Sequence, residues 1–155
     1  MSAFTLVYTR ALEITWYSDD VNIPYPNVVK AGTNTSVNVN QLIDSSADFN
    51  GIQIGDIVLN SSADQVAYVV GFINSTTLLL SDNIFTSGGD NYKIFQGQNE
   101  GCYLYVPTQT AGATIEVETI GGDIVRFSQP PVGIIPVQVR KIFSGTDAVN
   151  LVALW

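Results

Sequence analysis

Apolar residues in this chain recur at every second position in short runs, and each run is soon closed by Gly, Pro, Asn, Asp or Ser. That period puts alternate side chains on opposite faces of a pleated strand, whereas a helix needs apolar residues three and four apart over a longer window. No segment offers such a window. The expected class is therefore all-β: an antiparallel β-sandwich or jelly-roll-like domain with a small β-barrel inserted in it. Phe4, Leu6 and Tyr8, then Leu12, Ile14 and Trp16, predict two strands or one broken near Arg10-Ala11. From 37 to 96, the runs Gly55–Asn60, Gln65–Ile73, Thr76–Leu80 and Tyr92–Phe95 predict strands separated by turns at Asn60–Asp64, Asn74-Ser75 and Ser87–Asn91, the spacing of a small barrel. Asp44–Asp48 has the chemistry to open one short helical turn, with Asp44 or Ser45 as its cap. Cys102–Val106, Ala113–Glu118, Ile124–Phe127, the alternation at Val137 and Val139 and a final strand make a meander, with a hairpin signal at Gly121-Gly122-Asp123. The first strands belong with the last sheet. The expected organisation is thus a sandwich domain formed by 1–36 and 97–155, carrying an N-terminal arm, with 37–96 as the inserted barrel.

The stretch Asp147–Trp155 concentrates the apolar signal. Val149, Leu151, Ala153 and Trp155 share one face of a strand, and Val152 and Leu154 make the other nearly as apolar. Both faces call for burial, so a strand stopping at an indole is expected to be held inside a sheet or against a neighbouring copy. Burying side chains of this size contributes about 1.5 to 3 kcal/mol each. Upstream, Ile23-Pro24-Tyr25-Pro26-Asn27 is extended because each proline fixes its own φ and pushes its predecessor out of the helical region. It reads as a loop or arm bearing Tyr17, Ile23 and Tyr25, either reaching a neighbour or packed on its own domain, followed by a small polar connector at Ala31–Ser36.

Composition narrows the chemistry. Among 155 residues 46% are hydrophobic and only 13% charged, so the chain can build a core but leaves few solvated charges for its surface, as expected where other subunits cover it. A net charge of −8 repels a phosphate backbone, which argues against nucleic-acid binding. There is no histidine, which removes the commonest general base, the usual triads and most zinc sites. Cys102 is the only cysteine, so no intrachain disulfide is possible, and without a histidine partner it reads as a small buried hydrophobe. The start lacks a signal-peptide pattern and no stretch is long and apolar enough to span a bilayer; folding in a cytoplasm is the expectation.

Three segments carry a likeness. Gly101-Cys-Tyr-Leu-Tyr-Val106, Ile135-Pro-Val-Gln-Val-Arg-Lys-Ile-Phe143 and Gly145-Thr-Asp-Ala-Val-Asn-Leu-Val-Ala-Leu-Trp155 together resemble small virion proteins of tailed phages. Pro-Val-x-Val followed by two basic residues, and then Gly-Thr-x-Ala-x-x-Leu-Val-Ala-Leu-Trp, is similar to head spike-base and other capsid-associated proteins, over the last third of the chain. The stretch from Phe49 to Phe95 looks, more weakly, like a barrel insert of phage structural proteins. The resemblance implies a capsid decoration, cement or spike-base subunit in the virion, assembled in the host cytoplasm. It implies a homo-oligomer, a trimer by analogy, bound to the major capsid protein and in some settings to a spike or fibre protein. It implies no reaction, and no cofactor is expected; neither a membrane nor nucleic acid is an expected partner, on the grounds of apolar run length and charge given above. A carbohydrate-binding or host-recognition module and a head-to-tail adaptor are the alternatives.

Candidate sites are few. Asp82 and Asp90 flank Ser87-Gly88-Gly89, but their spacing fits no calcium loop and they read as solvated turn carboxylates. Glu116 and Glu118 lie on one face of a strand at roughly the separation of paired glycosidase carboxylates. Without a cleft signal they read as an exposed face opposite Arg126 or Arg140. Tyr8, Tyr17, Tyr25, Tyr68, Tyr92, Tyr103 and Tyr105, with Trp16, offer a sugar-stacking platform, although core and interface packing explains most of them. Asn34, Asn60 and Asn74 begin glycosylation sequons that mean nothing without secretion. No catalytic or metal residues are expected. The candidate interface is Trp16, Tyr17, Ile23 and Tyr25 together with Val149, Leu151, Val152, Leu154 and Trp155.

Overall fold

A computed structural model describes residues 7–97 and 99–155. Among these residues the chain is all-β: twelve strands, every ladder antiparallel, and no helix. The antiparallel, sandwich-type class read from the alternation is the class observed. Phe4 and Leu6 lie outside the described residues. The chain divides into two compact units, one holding 7–17 and 100–155, the other 18–99.

The first unit is a six-stranded sheet in the order β1-β12-β8-β11-β9-β10. Its strands are β1 (Ala11–Glu13), β8 (Cys102–Val106), β9 (Thr114–Thr119), β10 (Ile124–Ser128), β11 (Gly133–Ile142) and β12 (Val152–Leu154). β9 and β10 form the expected hairpin, with Gly122 at φ 89° in its turn, where the Gly122 N–H donates to the Thr119 carbonyl. β11 is long enough to pair with β8 through its first half and β9 through its second, with a register irregularity on each side. Cys102, Leu104 and Val106 point inward with Ile115, Val117, Ile135, Val139 and Ile142, all buried. The Cys102 thiol lies in that core, 3.4 Å from the Val139 carbonyl, so it is a small buried side chain as expected.

The closing strand sits inside this sheet, between β1 and β8, but it is shorter than its alternation suggests. Asn150 takes a left-handed φ of 59°, which interrupts the period of two. Leu151 and Ala153 are fully buried, while Val149, beyond the interruption, is 51% exposed. The loop ahead of β12 lies along the start of β9: Thr146 Oγ1 accepts the Glu116 N–H, the Asp147 N–H donates to the Thr114 carbonyl, and the Asp147 carboxylate accepts the Thr114 N–H.

The second unit is a six-stranded sheet in the order β2-β7-β4-β5-β6-β3. Its strands are β2 (Val28–Thr33), β3 (Gln41–Ile43), β4 (Ile57–Asn60), β5 (Gln65–Asn74), β6 (Thr77–Leu80) and β7 (Asn91–Phe95). It curls until the segment after β2 meets β3 at the single bridge Ser36–Ile43, so the expected barrel is left open along a seam. Its core holds Leu42, Phe49, Val58, Ala67, Val69, Leu78, Leu80, Phe85, Tyr92 and Ile94.

Three local expectations need correction. Residues 18–36 lie with this second unit, so its boundary falls at 17/18 and 99/100 rather than at 36/37 and 96/97. Val28–Thr33, which runs into the stretch Ala31–Ser36 read as a connector, is an edge strand; its side chains are largely exposed, which hides the alternation, and pairing with β7 makes it a strand. Asp44 caps no helix: its carboxylate accepts the Ser46 N–H in a turn and receives the Tyr92 hydroxyl.

Candidate functional site

Directly opposed residues of an antiparallel ladder share a face. In the first unit Glu13, Val152, Tyr105 and Ile134 therefore form one outward row across β1, β12, β8 and β11. Ala11, Leu154 and Tyr103 form the next. Tyr8 extends the second row, its ring meeting Tyr103 edge-on at 5.8 Å. Tyr105 is 36% and Ile134 43% exposed, and Tyr103, Val152 and Leu154 are half-buried. This half of the sheet presents aromatic and aliphatic side chains to its outer side.

The other half of the same outer side is charged. Inward Ile115 and Val117 leave Glu116 and Glu118 outward on β9, where Arg126 lies directly opposite Glu116. Arg140 donates to Glu118 at 2.5 Å, and Lys141 Nζ stands 3.7 Å from the other carboxylate oxygen. The hydrogen bond from Arg140, reinforced by both cations, holds the Glu118 carboxyl below the usual carboxylate range and raises the Arg140 guanidinium further. Glu118 is thus ion-paired with two bases of β11, and Glu116 lies opposite Arg126 of β10.

The sequence-predicted interface residues divide. Val152 and Leu154 belong to the apolar face. Leu151 points inward and is fully buried, and Trp16 and Ile23 are also buried. Tyr17 donates its hydroxyl to the Ala148 carbonyl, and burial raises its phenol pKa. The backbone of Trp155 is tied to the segment before β1, its carbonyl accepting from Thr9 and Arg10 and its N–H donating to Arg10. The Pro24–Pro26 segment is no free arm, since the Tyr25 N–H donates to the Gln96 carbonyl and the Asn99 amide donates to the Ile23 carbonyl. Tyr103, Tyr105 and Ile134 were missed as face residues. Their i, i+2 spacing on β8 was legible, but only the register sets them beside Val152 and Leu154.

The remaining candidates are structural. Asn34 is buried: its Oδ1 accepts the Asp90 N–H and its amide donates to the Ser87 carbonyl. Asn60, also buried, donates to the Ile84 carbonyl and the Asp90 carboxylate. These two side chains shape the Ser87-Gly88-Gly89 loop, and both sequons are closed by burial. Asp82 accepts from the Ser81 hydroxyl, and among the described residues no group of three acidic or thiol side chains could hold a metal. Tyr92 is buried and belongs to a core, while Tyr68 in the second unit and Tyr105 in the first are exposed. No helix is long and apolar enough to cross a membrane among the described residues. Comparison with protein-family models, with curated proteins and with solved structures finds no match.

Proposed function

We propose that this chain is a structural subunit of a tailed-phage virion, a cement, decoration or spike-base protein that binds the capsid shell and its own copies. The observation that carries this reading is the outward pair of rows on β12, β8 and β11, where Val152, Leu154, Tyr103, Tyr105 and Ile134 lie side by side next to an ion-paired border. Aromatic and aliphatic centres with a polar rim are what protein–protein contacts use. The likeness of 101–106, 135–143 and 145–155 to capsid-associated proteins points the same way. So does a surface with few charges for its size. The reading gives the chain no reaction: it works by occupying and sealing a surface.

Light scattering over a concentration series tests it, with Tyr105→Glu as the matched variant. Tyr105 points outward, so the variant folds, and its charge blocks association. A wild type that stays strictly monomeric at high concentration overturns the proposal. Recovery of the chain in purified particles, by mass spectrometry, tests the virion assignment separately.

The pair Tyr103 and Tyr105 on one face favours a second reading, a glycan-recognising module of a fibre, because sugar rings stack on neighbouring aromatics. Glycan-array binding that is lost with Tyr105→Ala, by a wild type that remains monomeric, selects it over the first.

A further inference from the structure

The only Asn-Gly dipeptide of the chain, Asn50-Gly51, lies in the exposed turn between β3 and β4. We propose that it is a site of spontaneous, ageing-type modification: conversion of the Asn50 carboxamide to aspartate and isoaspartate. The reaction needs the main-chain nitrogen of the next residue to reach the side-chain carbonyl carbon, and three features at this turn permit it. Gly51 has no side chain to obstruct the approach. Its N–H makes no hydrogen bond to any described residue that would have to be broken. Both residues are exposed, so water and hydroxide have free access.

The other asparagines followed by small residues are guarded. Asn60 is buried, with its amide committed to Ile84 and Asp90 and its Oδ1 accepting from the Ser62 and Ala63 N–H groups. Asn74 has its Oδ1 engaged by both the N–H and the hydroxyl of Thr76. At Asn50 the only hold on the side chain among the described residues is Asp48, whose Oδ2 accepts the amide at 3.1 Å while its Oδ1 accepts the Asn50 N–H.

The balance of the step is simple. The deprotonated Gly51 nitrogen attacks Asn50 Cγ, the C–N bond to the amide breaks and ammonia leaves, giving a five-membered succinimide. Water then opens either carbonyl, yielding aspartate or, with the main chain rerouted through the side chain, isoaspartate. No oxidant or cofactor takes part.

The position gives the reaction a consequence. Asn50 and Gly51 line a cleft of about 290 Å3 with Phe49, Ile52 and Phe72, and Phe49 is a fully buried plug of the second unit, edge-on to Tyr92 at 6.1 Å. Its backbone is held by the Phe49 N–H to the Ser75 carbonyl and by the Ile52 N–H to the Phe49 carbonyl. The product replaces a donor to Asp48 by a second carboxylate at hydrogen-bond range of the first. Isoaspartate also adds a methylene to the main chain inside that hydrogen-bonded turn. Both changes loosen the anchor of Phe49, so aged protein has a weakened second unit.

The test is incubation of the full chain in mildly alkaline buffer over days, followed by proteolysis, fragment mass spectrometry and enzymatic methylation of isoaspartate. The expected result is progressive conversion at Asn50, with isoaspartate the larger product, while Asn60 and Asn74 stay amides. Asn50→Ser should accumulate no methyl-accepting sites, and Asn50→Asp should melt below the wild type. Incubation of the urea-unfolded chain supplies the reference rate. If the folded chain keeps Asn50 as fully amidated as Asn74 while the unfolded chain converts, the turn protects the dipeptide and the proposal is overturned.

Discussion

At Gly32 an added methyl carbon would stand 2.7 Å from Tyr92 Oη and 2.9 Å from Asp44 Oδ2, the two atoms that hydrogen-bond each other at 2.8 Å. Neither can withdraw without breaking that bond, because Tyr92 is a core ring and Asp44 also holds the Ser46 N–H. Gly32→Ala is therefore expected to cost about 1–3 kcal/mol, the range of overpacking, read from the urea midpoint; an unchanged midpoint would show that the pair gives way freely. The same pair sets an alkaline limit. Burial first, and then the hydrogen bond and charge of Asp44, push the Tyr92 phenol well above its usual value of 10.0. The unfolded chain releases that proton near pH 10 and the folded chain retains it, so the contribution is fully present below pH 10 and declines as pH rises beyond it. Melting temperatures from neutral to strongly alkaline pH should fall more steeply for the wild type than for Tyr92→Phe. Little of this was legible beforehand. In the sequence Asp44 or Ser45 reads as a cap, Tyr92 as one of several aromatics, and Asn34 and Asn60 as the starts of sequons, because a polar side chain carries no local mark of being buried.

Among the elements, β12 shows what alternation can and cannot reveal. The burial of one face was readable and is filled by Leu151 and Ala153, whereas Val152 and Leu154, which make the other face apolar, stand half-buried on the outer side of the sheet. Its length was not, because the left-handed turn at Asn150 has no signature in hydropathy. Leu151, fully buried just past that turn, is the residue to test: Leu151→Ala should lose about 2–5 kcal/mol, measured by chemical denaturation. A loss well under that range would mean the strand is dispensable to its sheet. On β9 and β11 Glu118 contributes to the acid limb of stability. Its carboxyl, held low mainly by the hydrogen bond from Arg140, stays ionised in the folded state to lower pH than in the unfolded chain. Its contribution is thus present above the unfolded value near 4.5 and is lost as pH falls through the lower folded one. Glu118→Gln should flatten the decline of melting temperature in acid while leaving the alkaline limb alone. Pairing of Glu118 with Arg140 was one of two options the sequence left open; strand order selected it and set Arg126 opposite Glu116.

For the whole molecule, the second unit has the attributes of an independently folding piece. It owns a core of twelve buried residues, and its ends are tied to each other through Asn99 to Ile23, Tyr25 to Gln96 and Gln96 to Asn27. Residues 18–99 expressed alone should fold and melt cooperatively by circular dichroism, whereas a piece cut at 37–96 should not, because it lacks β2 and those ties. A cooperative transition in the shorter piece would place the boundary where the turn chemistry of Ala31–Ser36 first suggested. The sequence by itself determined the all-β class, the position of most strands, the hairpin at Gly121-Gly122 and the inwardness of Cys102, since each follows from a period of two or a turn residue within a few positions. Only the tertiary structure decided that the barrel stays open, that β2 joins the second unit, and that Tyr103 and Tyr105 stand beside Leu154 and Val152. Those depend on which strand lies next to which and in what register, a choice made by contacts between residues far apart in the chain that alternation within one strand does not encode.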